Sequence, residues 1–173
     1  MKGDTNGSFK MGIWNGLIKL QKILLFITSV CVVLCIGFLV VFRYFFKIDL
    51  FGMEEIVIIF AFWLYFTGGS FAAYKRNHIS IDIVTSFMKK PRQIALFKLV
   101  VSFITTVLCF VLTYYGFNMF VWGLTHVAKT AVWNIPWYIP QSSIFFGYLL
   151  MSFYFIVYFI IDLKKYILDI KKH

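Results

Sequence analysis

The stretch FRYFFKIDLFGMEEIVIIFAFWLYFTGGSFAAYKRNHISID, residues 42–82, holds an uncharged apolar run with polar groups crowded at both ends. Arg43, Lys47, Asp49, Glu54 and Glu55 stand at its start, and Lys75, Arg76, His78 and Asp82 at its close. From Ile56 to Tyr74 there is no Asp, Glu, Lys, Arg or His. As an α-helix rising about 1.5 Å per residue, this run reaches roughly 28 Å, close to the thickness of a bilayer's hydrocarbon core. It reads as a transmembrane helix.

The rest of the chain repeats that reading. Of 173 residues, 61% are hydrophobic and 14% charged, with a mean hydropathy of +0.85. Soluble domains carry roughly 25% charged residues, so an aqueous globule is excluded in favour of a multi-span protein. The expected fold is an all-α membrane protein, one integral domain over residues 1–173, with four transmembrane helices at about 23–42, 53–74, 97–122 and 139–161. These spans and their connections leave no room for a separate soluble domain. Two amphipathic interfacial helices are expected, at 12–22 and 80–90. In the first, Ile13, Trp14, Leu17, Ile18 and Leu20 share an arc opposite Asn15, Lys19 and Lys22; in the second, Ile81, Ile83, Val84, Phe87 and Met88 oppose Asp82, Thr85, Ser86 and Lys89. The N-terminal residues lack a small-residue cleavage site and are not expected to be a removable signal peptide.

The net charge of +10 takes its meaning from position. Fourteen of the 17 Lys and Arg residues lie before the first span, between the second and third, or after the fourth; Arg43, Lys47 and Lys129 are the other three. By the positive-inside rule both termini and the middle loop are cytoplasmic. Anionic lipid headgroups suit those fourteen charges better than nucleic acid does. Trp122, Trp133, Trp137 and Tyr138 then form an aromatic belt at the outer interface. Cys31, Cys35 and Cys109 fall inside apolar spans, as packing residues and not as a disulfide or metal framework.

The spans lack titratable groups near mid-membrane depth, where coupled transporters and charge-selective pores commonly place them. Nor is there a mid-span Gly/Pro break of the kind that builds a substrate site from unwound helices. His78, His126 and His173 lie at or beyond span ends, which argues against intramembrane haem ligation. Ser and Thr in the spans have no His or Asp beside them and are expected to bond carbonyls one turn earlier, not to act as nucleophiles. No catalytic, cofactor or metal residue is expected in this chain. The remaining polar groups allow two readings. Arg43 and Lys47 can pair with Asp49, Glu54 or Glu55 to brace the outer turn, or Arg43, Lys47 and Asp49 can dock a periplasmic partner. Asp49 is also placed to cap the second helix, whose first turn holds Glu54 and Glu55. Gly68, Gly69, Ala72 and Ala73 permit a close helix contact, within the chain or to another subunit.

The ordered set of Arg43-Tyr44, Glu54-Glu55, Trp63, Gly68-Gly69, and Arg76, His78, Ile79 and Asp82 in RNHISID resembles the small membrane subunit, the Q component, of tripartite ATP-independent periplasmic (TRAP) transporters. The span number and the cytoplasmic termini agree along nearly the whole chain; the outer loop and fourth span add only general similarity. The resemblance implies a bacterial inner-membrane complex in which a soluble binding protein (P) captures an organic acid, such as sialic acid or a C4-dicarboxylate. A large elevator subunit (M) would carry the substrate and sodium sites. The small subunit would be a non-transporting scaffold that packs on M and helps dock P. In that setting Glu54, Glu55, Trp63, Gly68, Gly69, Ala72, Ala73, Arg76, His78 and Asp82 are candidate structural or M-subunit contacts. The alternatives are a membrane anchor or assembly subunit of another inner-membrane complex, and a small oligomeric channel.

Overall fold

A computed structural model describes residues 5–75, 91–126 and 128–171. The described residues form helix α1 (Thr5–Val41), a π-helical turn (Phe42–Phe46), and helices α2 (Met53–Tyr74), α3 (Pro91–His126) and α4 (Tyr138–Lys171). Four stretches are long and apolar enough to cross a membrane: Trp14–Phe46, Met53–Tyr74, Gln93–His126 and Tyr138–Leu168. The second coincides with the expected span. The others run past theirs, because no proline interrupts residues 5–41, 92–126 or 141–171. Segment 12–22 is therefore continuous with the first span inside α1. The expected interfacial helix at 80–90, with Asp82, lies outside the described residues, as do Arg76 and His78.

α1 packs on α2, α2 on α4, and α4 on α3, so the helices follow one another in space with α1 and α3 at the two ends. The packing is written in heptads. On α1 the less exposed positions include Trp14, Ile18, Gln21, Leu25, Thr28, Val32, Cys35 and Leu39, at alternating spacings of four and three, with Leu17, Leu24 and Cys31 beside them. Ser102, Thr106, Cys109, Thr113, Gly116, Phe120 and Gly123 repeat the pattern on α3. A 3.5-residue repeat keeps one seam facing its neighbour along a left-handed crossing.

The interior is the reverse of a soluble core. Gln21, Thr28, Thr67, Ser70, Thr106, Gln141, Ser143 and Ser152 are buried, while Phe26, Val33, Phe103 and Leu108 are each more than half exposed. Lipid tails are as apolar as leucine, so no hydrophobic force drives leucine inward, and small or hydrogen-bonding side chains take the contacts. Their hydroxyls largely turn to the preceding turn: Thr28 to Leu24 O at 2.8 Å, Thr106 to Ser102 O at 2.6 Å, Ser143 to Pro140 O at 2.7 Å. Others cross between helices. Thr113 and Ser152 hydroxyls meet at 2.9 Å, and Ser102 donates to Asp162 Oδ2 at 2.8 Å, so, against the sequence expectation, one span hydroxyl does have an aspartate beside it.

Near the Trp14 end of α1 and the Tyr74 end of α2, three helices are tied by one network. Gln21 Nε2 of α1 donates to Ser70 Oγ of α2 at 3.0 Å, and Tyr154 of α4 donates its hydroxyl to Gln21 Oε1 at 3.0 Å. Ser70 Oγ–H in turn donates to Thr67 O at 2.8 Å. Trp14 closes the cluster edge-on to Tyr74 and Tyr154, with centroids at 5.9 and 5.3 Å. The part of α1 expected to lie along the membrane surface thus turns Trp14 and Ile18 into the helix assembly, while Leu20 stays exposed.

Candidate functional site

The polar residues at the start of α2 assemble with the loop between α3 and α4 into one surface. α1 ends by widening: the N–H of Lys47 reaches Phe42 O, Ile48 N bonds the same carbonyl at 3.2 Å, and Lys47 sits at φ 53. That left-handed residue reverses the chain at the helix end, as a C-terminal cap does. A second turn follows, closed by Met53 N to Leu50 O at 3.3 Å, with Gly52 at φ 87. Glycine is needed there twice over, because a Cβ would also strike the Trp133 indole and come within 2.7 Å of Val132 Cγ1. Gly52, not Asp49, occupies the N-cap of α2, and no side chain caps that helix. Asp49 is drawn to Arg43 instead, with Nε–Oδ1 at 3.5 Å. Both side chains are more than 60% exposed, so the pair contributes at most about 1 kcal/mol.

Glu55 joins the start of α2 to the loop between α3 and α4. The N–H groups of Val132 and Trp133 donate to its two carboxylate oxygens at 2.8 and 3.0 Å. The loop that offers them is itself ordered, with Thr130 N to Ile135 O at 2.9 Å, Trp137 N to Ala128 O at 2.9 Å and Ile135 N to Thr130 Oγ1 at 2.9 Å. An ionised carboxylate facing two backbone donors makes charge-assisted bonds, about twice the strength of neutral ones. Glu55→Gln removes the charge and turns an amide donor toward one of those N–H groups. Amide exchange at Val132 and Trp133 is expected to accelerate severalfold, while exchange in the middle of α2 stays unchanged; unaltered loop exchange would show that Glu55 does not hold the loop.

Arg43, Asp49, Glu54 and Glu55 border one recess of about 370 Å³ beside Val132. A second, of about 340 Å³, lies between α2 and the loop, with Ile58, Ile59 and Trp137 as apolar walls and Lys129 at its side. Lys47 and Glu54 are exposed. The recesses offer charge of both signs and apolar hollows, which suits seating protein side chains and offers no arranged nucleophile and base.

The candidate contact residues of α2 divide. Gly68 faces Leu25 of α1, where a Cβ would lie 3.6 Å from Cδ2, and Gly69 faces the flexible end of Met151. Ala73 is buried with Cys109, Phe155 and Met151. Ala72 is exposed and Trp63 half-buried. The small residues at 68, 69 and 73 are thus used for packing within the chain. Sequence reading did not single out Gln21, Ser70, Tyr154 or Gly147, and it did not foresee Glu55 as a link to the loop. Uncharged polar residues inside long spans were the available signal for the first three.

A family model described as tripartite ATP-independent periplasmic transporters, DctQ component, matches residues 32–165. No curated protein matches the chain.

Proposed function

The chain belongs to the DctQ family, the small membrane component of tripartite ATP-independent periplasmic transporters, and from that premise we propose that it is the fixed scaffold of its transporter and no part of the substrate path. As such a component it is a multi-pass inner-membrane protein. The observation that carries the proposal is the placement of its polar chemistry. Ionisable groups are missing from the middle of every span, and the structured polar surface stands at the outer ends of the helices, where Glu55 fastens the loop to α2. A protein that moved a charged solute itself would need the opposite distribution.

In this reading both termini and the 76–90 connection face the cytoplasm, in keeping with the lysine and arginine distribution. The large M subunit supplies the transport site and sodium coupling. The surface built from Arg43, Lys47, Asp49 and the outer loop helps seat the binding protein, which delivers a carboxylate of the sialic acid or C4-dicarboxylate type. Charge at an exposed rim acts mainly on the rate of encounter and on salt dependence.

Proteoliposomes holding M and supplied with the binding protein are expected to lose sodium-driven uptake when this chain is omitted; full uptake without it would overturn the scaffold role. Reversing charge at Lys47 or Asp49 is expected to slow docking by roughly threefold to tenfold at low salt, with the difference shrinking as salt rises. Unchanged docking and uptake in both variants would leave these residues a purely bracing role.

A further inference from the structure

The outer half of α3 carries hydrogen-bonding side chains on the side away from α4. Gly116 and Gly123 mark the side that meets α4, where a Cβ would come within 3.5 Å of Phe145 Cα and 3.4 Å of Tyr138 Cα. Tyr114, Tyr115 and Asn118 lie off that seam and are exposed, each tyrosine 64% so. The two rings meet edge-on with centroids 5.8 Å apart. No polar atom among the described residues accepts from or donates to the Asn118 amide or either phenol.

Depth makes this costly. Trp122, half exposed on the same helix, marks the interface. Asn118 lies one turn inward, about 6 Å, and Tyr114 two turns, about 12 Å. Side chains on a helix lean toward its N-terminus, and here that direction is toward the membrane centre, so none of the three leans back to the headgroups. Tyrosine is at home at the headgroup level, where its hydroxyl is wet, and an asparagine amide facing acyl chains has neither donor nor acceptor. The neighbouring exposed residues Val107, Leu108 and Val111 show what α3 presents where lipid suffices.

We propose that this face of α3, centred on Asn118 with Tyr114 and Tyr115, is an intramembrane contact with a transmembrane helix of the large subunit that presents hydroxyl, amide or free carbonyl groups at that depth. The assignment rests on the scaffold reading above. Membership in a multicomponent transporter supplies a membrane partner, and the chemistry says where on this chain it sits. Trp122, continuing the face toward the interface, would cover the outer edge of the contact.

The test uses the complete chain, tagged and coexpressed with the large subunit. Asn118→Leu combined with Tyr114→Phe and Tyr115→Phe should leave the yield and helix content of the chain unchanged. It should lower the large subunit retained after detergent extraction roughly thirtyfold, at roughly threefold for each of the three intramembrane hydrogen bonds lost. Full retention would overturn the proposal, because a lipid-facing surface gains from losing polar groups. A photo-reactive benzoylphenylalanine in place of Tyr115, with Asn118 intact, should cross-link to the large subunit. Cross-linking only to lipid or to a second copy of this chain would equally overturn it. Failure of the unaltered chain to retain the large subunit would instead refute the scaffold reading itself.

Discussion

Tyr154→Ala is expected to lower the stability of the purified chain more than any other single truncation in it. Tyr154 is fully buried, its ring touches Trp14, Tyr74 and Phe153 at centroid distances of 5.3, 5.6 and 6.0 Å, and its hydroxyl is bonded to Gln21. Removing a buried aromatic ring costs about 3–5 kcal/mol through lost contacts and the cavity left behind. The Gln21 carbonyl is then stranded at a further cost of about 1–3 kcal/mol unless water enters. Tyr154→Phe separates the two effects: it keeps the ring and loses one interhelical hydrogen bond, which in membranes averages about 0.6 kcal/mol. Thermal denaturation in detergent should therefore show a large drop for alanine and a small one for phenylalanine. Equal drops would mean that the hydrogen bond dominates; two negligible drops would mean that α1 is not held by this cluster.

Gly147→Ala should be a damaging addition of a single methyl group between two packed helices. A Cβ at position 147 would lie 2.6 Å from Phe66 Cβ, 3.0 Å from Phe66 O and 3.2 Å from Phe66 C. Two of these atoms are backbone, so no rotamer change relieves the clash and α2 and α4 must move apart. Overpacking of this kind costs about 1–3 kcal/mol. Gly16→Ala and Gly37→Ala on α1, where a Cβ meets nothing within 4 Å, should go the other way, gaining about 0.5–1 kcal/mol from helix propensity. Gly69→Ala should fall between, since only the end of Met151 need shift. The separation of α2 and α4 also carries a functional readout. Both helices carry the surface proposed above to seat the binding protein, α2 through Glu55 and α4 through the loop that enters it at Tyr138, so on that proposal Gly147→Ala should weaken docking as well. Unchanged melting and unchanged docking would show that the helices accommodate the methyl without moving.

The class of fold was legible because bilayer thickness imposes a length and an uncharged interior, and both can be counted along a chain. Residues 53–74 form one helix, with the charges of Glu54 and Glu55 in its first turn and Lys75 just past its end. The start of α1 was less legible, since amphipathicity at 12–22 is the same whether the helix lies on a surface or packs its apolar arc on Tyr74 and Tyr154. The assignment of Asp49 as a cap failed because Arg43 competed for it and Gly52 supplied the turn the chain needed.

Sequence alone determined that this is a four-span membrane protein of the DctQ kind, with its ionisable residues kept to the span ends. Only the tertiary structure decided which side of each helix faces its neighbours, that Glu55 holds the loop between α3 and α4, and that Gln21, Ser70 and Tyr154 join three helices. The reason is physical. In water hydrophobic periodicity points to the core, whereas in a bilayer both sides of a helix are apolar. The inward side is then marked by a few small and polar residues whose partners lie far away in the chain: 49 residues separate Gln21 from Ser70, 133 separate it from Tyr154, and 77 separate Glu55 from Val132.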